Sequence, residues 1–304
     1  MSSGRKEDPS GQPGQLAQVT EKLQQFISRQ AAILERAGID QGRVEVEMIL
    51  CHLLDVDRLN LYLEGSKRLD GTVLNRFDAI MKQRLTRHPL QFILGEAWFY
   101  GRKFYVSPAA MAPTPETERL CEAAINFARQ AGNTCPRILD VGVGSGVIAL
   151  TMAKELKDCR IVALDISLDA IEVARKNATD LGVSDRVEFR RSDFFSAVGE
   201  NEKFDLILSN PPYIRDGEYD HLPPEVKADP KVAMVAGPDG LDAIRVILEK
   251  APPHLAGGGR IMFEVGLGQA AEVTALTEKN DRYQSIVIVK DFNDIGRVVI
   301  LSCD

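Results

Sequence analysis

The chain has 304 residues, 44% of them hydrophobic and 27% charged, and carries a formal net charge of −7. That length accommodates two domains, or one large domain with a helical extension, and either can bury a sizeable core. The acidic balance argues against a protein that holds duplex nucleic acid by its backbone, because neutralising phosphates takes a basic surface.

The N-terminus is polar, and no apolar run approaches the length of a membrane span, so neither a signal peptide nor a transmembrane helix is expected. Residues 1–14 are rich in Ser, Gly and Pro and read as a disordered tail. From there Leu16, Val19, Leu23, Phe26, Ile27 and Ile33 recur at helical spacing, as do Val46, Ile49, Leu50 and Leu53. Helical stretches over 59–63 and 74–85 complete a small bundle over 15–90, which His88-Pro89 should stop. Arg84, Arg87, His88, Arg102 and Lys103 form a basic cluster that either meets a negatively charged partner or simply solvates a surface. Residues 96–106, with aromatics on either side of Gly101, read as a β-hairpin within a linker over 91–110.

Beyond it, residues 111–304 alternate strands and helices, which implies a parallel sheet covered on both faces. Arg137-Ile-Leu-Asp-Val141 is a buried strand running into Gly142-Val143-Gly144-Ser145-Gly146, after which 147–153 is apolar and helix-forming. Strand, glycine loop and helix are a nucleotide-binding arrangement, since glycines admit a ligand close to the backbone and the helix start offers N–H groups. The loop lacks a dinucleotide fingerprint, because Val147 stands where the third glycine belongs. A second strand over 161–164 ends in Asp165, near the distance at which an acid meets a ribose. A third, over 187–191, leads to Ser192-Asp193-Phe194: Asp193 is placed to accept from an adenine amino group under a Phe194 ring, or the pair is a solvated turn acid beside a core aromatic.

After the apolar Leu206-Ile-Leu-Ser209 comes Asn210-Pro211-Pro212-Tyr213. Prolines fix φ and supply no N–H, so local carbonyls are left to accept from something else. A planar NH2 group fits: the Asn210 oxygen accepts one N–H, a carbonyl of the Pro-Pro segment the other, and Tyr213 covers the face. In isolation the same four residues are equally a turn. The last two strands, over 285–289 and 296–301, are joined too tightly for a crossover and should pair antiparallel.

Asp140-Val-Gly-Val-Gly-Ser-Gly146, Asp165, Ser192-Asp-Phe194 and Asn210-Pro-Pro-Tyr213, in that order, resemble the S-adenosylmethionine-dependent methyltransferases. Pro89-Leu-Gln-Phe-Ile-Leu-Gly-Glu96, Phe99-Tyr-Gly101, Pro115-Glu-Thr-Glu118 and Gly237-Pro-Asp-Gly-Leu241 narrow the resemblance to the release-factor glutamine methyltransferases, the HemK/PrmC family. The resemblance implies a Rossmann-like seven-stranded sheet with a helical N-terminal substrate-recognition domain, and S-adenosyl-L-methionine bound at Gly142 to Gly146, Asp165, Asp193, Phe194 and Asn210. It implies catalysis at Asn210, Pro211, Pro212 and Tyr213, with transfer to the glutamine amide nitrogen of the Gly-Gly-Gln loop of peptide chain release factors. The sequence departs from the family at Thr114, where relatives usually carry Arg, and at Ser192, where they usually carry Gly.

Alternative substrates offering the same NH2 group are a ribosomal-protein glutamine and a nucleic-acid adenine; a non-catalytic binding module is a third possibility, disfavoured by the intact loop and clamp. Cys51, Cys121, Cys135, Cys159 and Cys303 are odd in number, scattered and without a Cys-x-x-Cys pair, which suits reduced thiols in a cytoplasmic protein. His52, His88, His221 and His254 lack paired ligand spacing, so no metal is expected. A monomer with no membrane and no direct nucleic-acid partner is the expectation.

Overall fold

The computed structural model describes residues 13–132, 134–291 and 293–303. Apart from its last two residues, the tail expected over 1–14 lies outside them. The chain forms two compact units, dividing at Leu94 and Gly95.

The first unit holds α1 (Pro13–Arg36), α2 (Gly42–Leu54), α3 (Arg58–Arg68), α4 (Gly71–Leu85) and the short α5 (Leu90–Leu94). Its core is the apolar stripe legible in the sequence, with Leu23, Ile27, Ile49, Leu50, Leu61 and Phe77 almost wholly buried. Asp57 and Asp70 cap α3 and α4 by accepting from the Asn60 and Val73 amides, satisfying N–H groups that a helix start leaves orphaned. Pro89 does not stop the bundle as expected. Its carbonyl accepts from the Ile93 amide and α5 follows, because a proline costs nothing at a helix start where its missing N–H has no partner.

In the second unit, β1 (Glu96–Phe99) and β2 (Arg102–Tyr105) form the expected hairpin. Tyr100 and Gly101 both have positive φ, 49° and 71°, the two-residue turn whose twist matches the strands. Next come α6 (Pro115–Gln130), β3 (Arg137–Val141), α7 (Val147–Glu155), β4 (Arg160–Asp165), α8 (Leu168–Asp180), β5 (Val187–Arg191) and β6 (Phe204–Ser209). The chain ends with α9 (Asp242–Lys250), β7 (Leu255–Glu264), α10 (Gln269–Thr277), β8 (Tyr283–Lys290) and β9 (Gly296–Cys303).

The seven strands lie in the order β5-β4-β3-β6-β7-β9-β8. The first five are parallel; β9 inserts between β7 and β8 and runs antiparallel to both, as its tight connection requires. Leu139, facing one side, packs in a core with Phe204, Ile244 and Phe263, while its neighbour Ile138 joins Leu120, Ile148 and Leu206 on the other. The strand order reverses between β3 and β6, and a crevice opens there at the carboxyl ends.

Buried Asn177 on α8 ties the hairpin to the glycine loop. Its Oδ1 accepts from the Tyr105 amide at 2.7 Å, and its Nδ2 donates to the carbonyls of Tyr105 at 2.9 Å and Ser145 at 2.8 Å. Asn177→Ala strands three backbone groups at once, so it should lower unfolding stability by about 2 to 4 kcal/mol in urea titration. A loss under about 0.5 kcal/mol, typical of a surface change, would show that the hairpin is held by packing alone.

Candidate active site

A cavity of about 420 Å³ occupies the crevice, within the size range of small-ligand sites. The structure brings Gly142, Val143, Gly144 and Ser145 to its wall, with Asp165, Asp193, Phe194, Asn210, Pro211 and Pro212. Gly146 and Tyr213 do not line it.

The three loop glycines have φ of 82°, 54° and 89°, a region L side chains rarely adopt. Their roles differ. A Cβ on Gly142 or Gly144 would meet nothing within 4 Å, so these two leave the backbone open to the cavity, whereas one on Gly146 would strike Leu150 Cδ1 at 2.9 Å. Gly146 is there for packing of α7. The Gly142 and Val143 amides donate to the Leu164 carbonyl, and Asp165 accepts from the Gly144 amide through Oδ2 and from the Ser167 amide through Oδ1, each at 2.9 Å. Each carboxylate oxygen has a further lone pair, so Asp165 retains capacity for ligand hydroxyls.

Ser192 has a local role. Its hydroxyl donates to the Phe194 carbonyl at 2.7 Å and accepts from the Ala197 amide at 2.9 Å, closing the turn in which Phe194 sits at φ 46°. Thr114 does not line the cavity, although Pro113 and Thr117 on either side of it do.

Asn210 follows the last residue of β6. The Ser209 hydroxyl donates to the Val141 carbonyl at 2.7 Å, which holds the ends of β6 and β3 together. Asn210 Nδ2 donates to Thr117 Oγ1 at 3.0 Å, and Thr117 Oγ1 donates to Glu264 Oε2 at 2.7 Å. Asn210 Oδ1 is buried with no hydrogen-bond partner among the described residues. A buried acceptor left unmatched is costly unless something arrives to match it.

Tyr213 is held from behind. Its amide donates to the Met234 carbonyl, and its carbonyl accepts from Gln269 Nε2, which also reaches the Gly240 carbonyl. Burial pushes the Tyr213 hydroxyl up to about 12. The second cavity wall joins 109–113 to 230–237, pinned where Asp229 Oδ1 accepts from the Ala112 amide at 2.9 Å.

Sequence reasoning missed the Thr117–Glu264 pair and the Gln269 brace. A signal for Glu264 existed, because a lone acid ends the apolar run of β7 just as Asp165 ends that of β4. The basic cluster is largely spent on local partners. In the first unit Arg84 is buried against Glu45 and Arg87 donates to the Ala37 and Gly38 carbonyls; in the second Arg102 pairs with Glu155 and Lys103 with Glu96. Among the described residues no helix is long and apolar enough to cross a membrane.

The PrmC N-terminal domain family matches residues 25–95, and the methyltransferase small domain family matches 126–222. The catalytic domain of human Mettl16, solved in complex with the MAT2A 3′UTR hairpin 1, superposes with a TM-score of 0.55 at 14% identity, covering 73% of this chain and 80% of that one. The fold is that of the S-adenosylmethionine-dependent methyltransferases. Release factor glutamine methyltransferase from Chlorobaculum tepidum is 38% identical, covering 92% of this chain and 96% of that one, and its namesake from Cereibacter sphaeroides is 41% identical over 81% and 86%. The chain belongs to the release factor glutamine methyltransferase family.

Two outcomes follow from the buried groups. Burial raises Asp140 and Glu264 to about 7 and Asp229 to about 6, from ordinary values of 3.8, 4.5 and 3.8. From about pH 4.5 to 7 the folded state therefore keeps protons that the unfolded state has released, and stability should fall as pH rises through that window. Glu202 and Asp239, held down to about 2 by Arg190 and Arg245, act in the opposite sense but at lower pH. Urea unfolding at pH 5, 6 and 7.5 checks this; stability rising across the series would contradict the assigned burial.

A Cβ on Gly240 would lie 2.3 Å from the Tyr213 carbonyl oxygen, at a φ of 73°. Gly240→Ala should cost about 1 to 3 kcal/mol of stability and displace the Asn210–Tyr213 loop, seen as lost transfer activity in protein that remains folded.

Proposed function

We propose that the cavity binds S-adenosyl-L-methionine and that the enzyme methylates the side-chain amide nitrogen, N5, of the glutamine in the Gly-Gly-Gln motif of peptide chain release factors. One observation carries the reading: the buried Oδ1 of Asn210, unmatched among the described residues, at the cavity wall beside a loop in which Gly142 and Gly144 are open. It is an acceptor awaiting an N–H donor, and a primary amide brings two.

Asp165 takes the ribose hydroxyls, the backbone of 142–146 lies along the ligand, and Asp193 and Phe194 receive the adenine edge and face. When bound, S-adenosylmethionine supplies an electrophilic methyl group on a sulfonium centre. The residues of this chain bring the nucleophile to it. An amide nitrogen is weakly nucleophilic because its lone pair is delocalised into the carbonyl. Asn210 Oδ1 accepting one N–H and the Pro211 carbonyl accepting the other hold the nitrogen in place and favour positive charge developing on it. No strong base is required, since the proton becomes acidic only after the methyl has arrived. Tyr213, braced by Gln269, fixes the end of the proline segment. The helical unit over 15–90 recognises the release factor, and the names of the relatives support that class of substrate.

Mass spectrometry of a release factor incubated with the enzyme and S-adenosylmethionine, beside a version with alanine at the Gly-Gly-Gln glutamine, tests the reading. One methyl is expected on the intact loop only. No methyl on either, with cofactor bound, would redirect the search to a ribosomal protein or an adenine. Asn210→Ala should lower turnover roughly 10²- to 10³-fold, as loss of one oxyanion-hole donor does. Asp165→Ala should instead weaken cofactor binding by about 1.5 to 3 kcal/mol in calorimetry.

A further inference from the structure

Which way the Asn210 carboxamide faces decides whether it can hold an NH2 group at all. With Oδ1 toward the cavity it accepts; turned by half a rotation it presents a second donor to a donor and repels it. Nothing in the shape of a carboxamide separates the two orientations, since oxygen and nitrogen are nearly the same size. Only hydrogen bonding distinguishes them.

We propose that Glu264 and Thr117 are positioning residues that lock the Asn210 carboxamide with its oxygen toward the substrate, through a one-way chain of hydrogen bonds that requires Glu264 as a carboxylate. This deepens the reading above and rests on it. A threonine hydroxyl has one proton. An ionised Glu264 can only accept, so Thr117 spends that proton on Oε2, 2.7 Å away. Thr117 Oγ1 can then only accept from Asn210, which must offer Nδ2, at 3.0 Å, and Oδ1 is left facing the cavity. The direction of the chain is set by the carboxylate and read out two hydrogen bonds away.

The surroundings keep this carboxylate titratable near neutrality. Glu264 ends β7 and is 2% exposed. Glu116 and Cys121 face it from α6, along with Thr117; Arg297 faces it from β9; Tyr213 faces it from the loop after β6. Burial and Glu116 favour the protonated form, while the Thr117 hydrogen bond and Arg297 favour the charged one, and the balance lies at about 7. Once protonated, Glu264 can donate to Thr117, Thr117 can then donate to Asn210, and the carboxamide is free to turn. The competent orientation is therefore lost as pH falls through about 7.

The test compares wild type with Thr117→Val, Thr117→Ser and Glu264→Gln on an intact release factor at saturating cofactor from pH 6 to 8.5, with thermal unfolding and cofactor affinity measured alongside. Wild-type kcat should rise about tenfold from pH 6 to 8 as one group ionises. Thr117→Val should lower kcat at saturating cofactor roughly 10- to 10²-fold, the size of a misplacement effect. Thr117→Ser, which keeps the hydroxyl, should recover most of it. Glu264→Gln should remove the pH dependence, because its amide can donate or accept at any pH. Wild-type kcat and pH profile in Thr117→Val would overturn the proposal, as would an unchanged profile in Glu264→Gln, which decides alone if the valine variant does not fold. If wild type methylates no release factor, the substrate reading fails, and the Asn210 side-chain amide signal in NMR still decides the positioning role. Hydrogen exchange of that amide slower in wild type and Thr117→Ser than in Thr117→Val or Glu264→Gln supports it, and equal exchange in all overturns it.

Discussion

The site depends on β3 pairing in parallel with β4 on one side and β6 on the other. Parallel strands must be joined by crossovers, so the connections leaving β3 and β6 diverge to opposite faces and cannot close over the gap between them. The gap is the cavity. One wall belongs to residues at strand ends: Gly142 after β3, Asp165 as the last residue of β4, Asp193 and Phe194 just beyond β5, and Asn210 after β6. The Ser209 hydroxyl bridging to Val141 closes the two central strand ends on each other, so loop and clamp share one rigid base.

That base carries more buried acid than packing alone would favour. Asp140 accepts from the Ala149 amide through Oδ2, while its Oδ1 is buried and unmatched beneath the loop. Asp165 stands close enough to raise it further. Burying a carboxylate costs stability unless it is matched, and the protein bears that cost at Asp140 and Glu264, both within reach of the cavity wall. On the proposed reading the cost at Glu264 has a use, because its carboxylate fixes the direction of the Thr117 hydroxyl beside Asn210.

The elements that recur locally were legible in the sequence. Apolar runs ended by Gly142, Asp165 and Asn210 marked strand and loop together, because a strand's core and its exposed end differ in chemistry within a few residues. The hairpin at 96–106 was legible for the same reason, and so was the antiparallel pairing of the last two strands, from the length of their connection. What escaped is non-local. Thr117 and Glu264 are 147 positions apart and Ala112 and Asp229 are 117 apart, and such partners meet only once α6 is laid on the sheet. Asn177 carries no signal in the sequence, yet it is 1% exposed and bonded to the hairpin and loop. Ser192 was visible as a departure from the family, but its purpose, closing the turn that carries Phe194, is a matter of hydroxyl geometry that no pattern reports.

On the proposed reading, the clamp recognises an NH2 group and not the molecule that carries it. Asn210 Oδ1 with a proline carbonyl would accept from a glutamine amide or an adenine amino group with equal ease, and the same fold serves a protein solved with an RNA hairpin. Discrimination must therefore come from what surrounds the reacting nitrogen. The cavity wall of 109–113 and 230–237 is built largely of Ala, Pro and Val, residues with little side-chain freedom, and is pinned at Asp229. On that reading such a wall would select by shape, since moving 109–113 away from 230–237 strains the Asp229 bond. On the same proposed reading, a helical unit that folds around its own core supplies affinity for the protein substrate. Separating the two tasks would let one NH2 clamp serve different substrates.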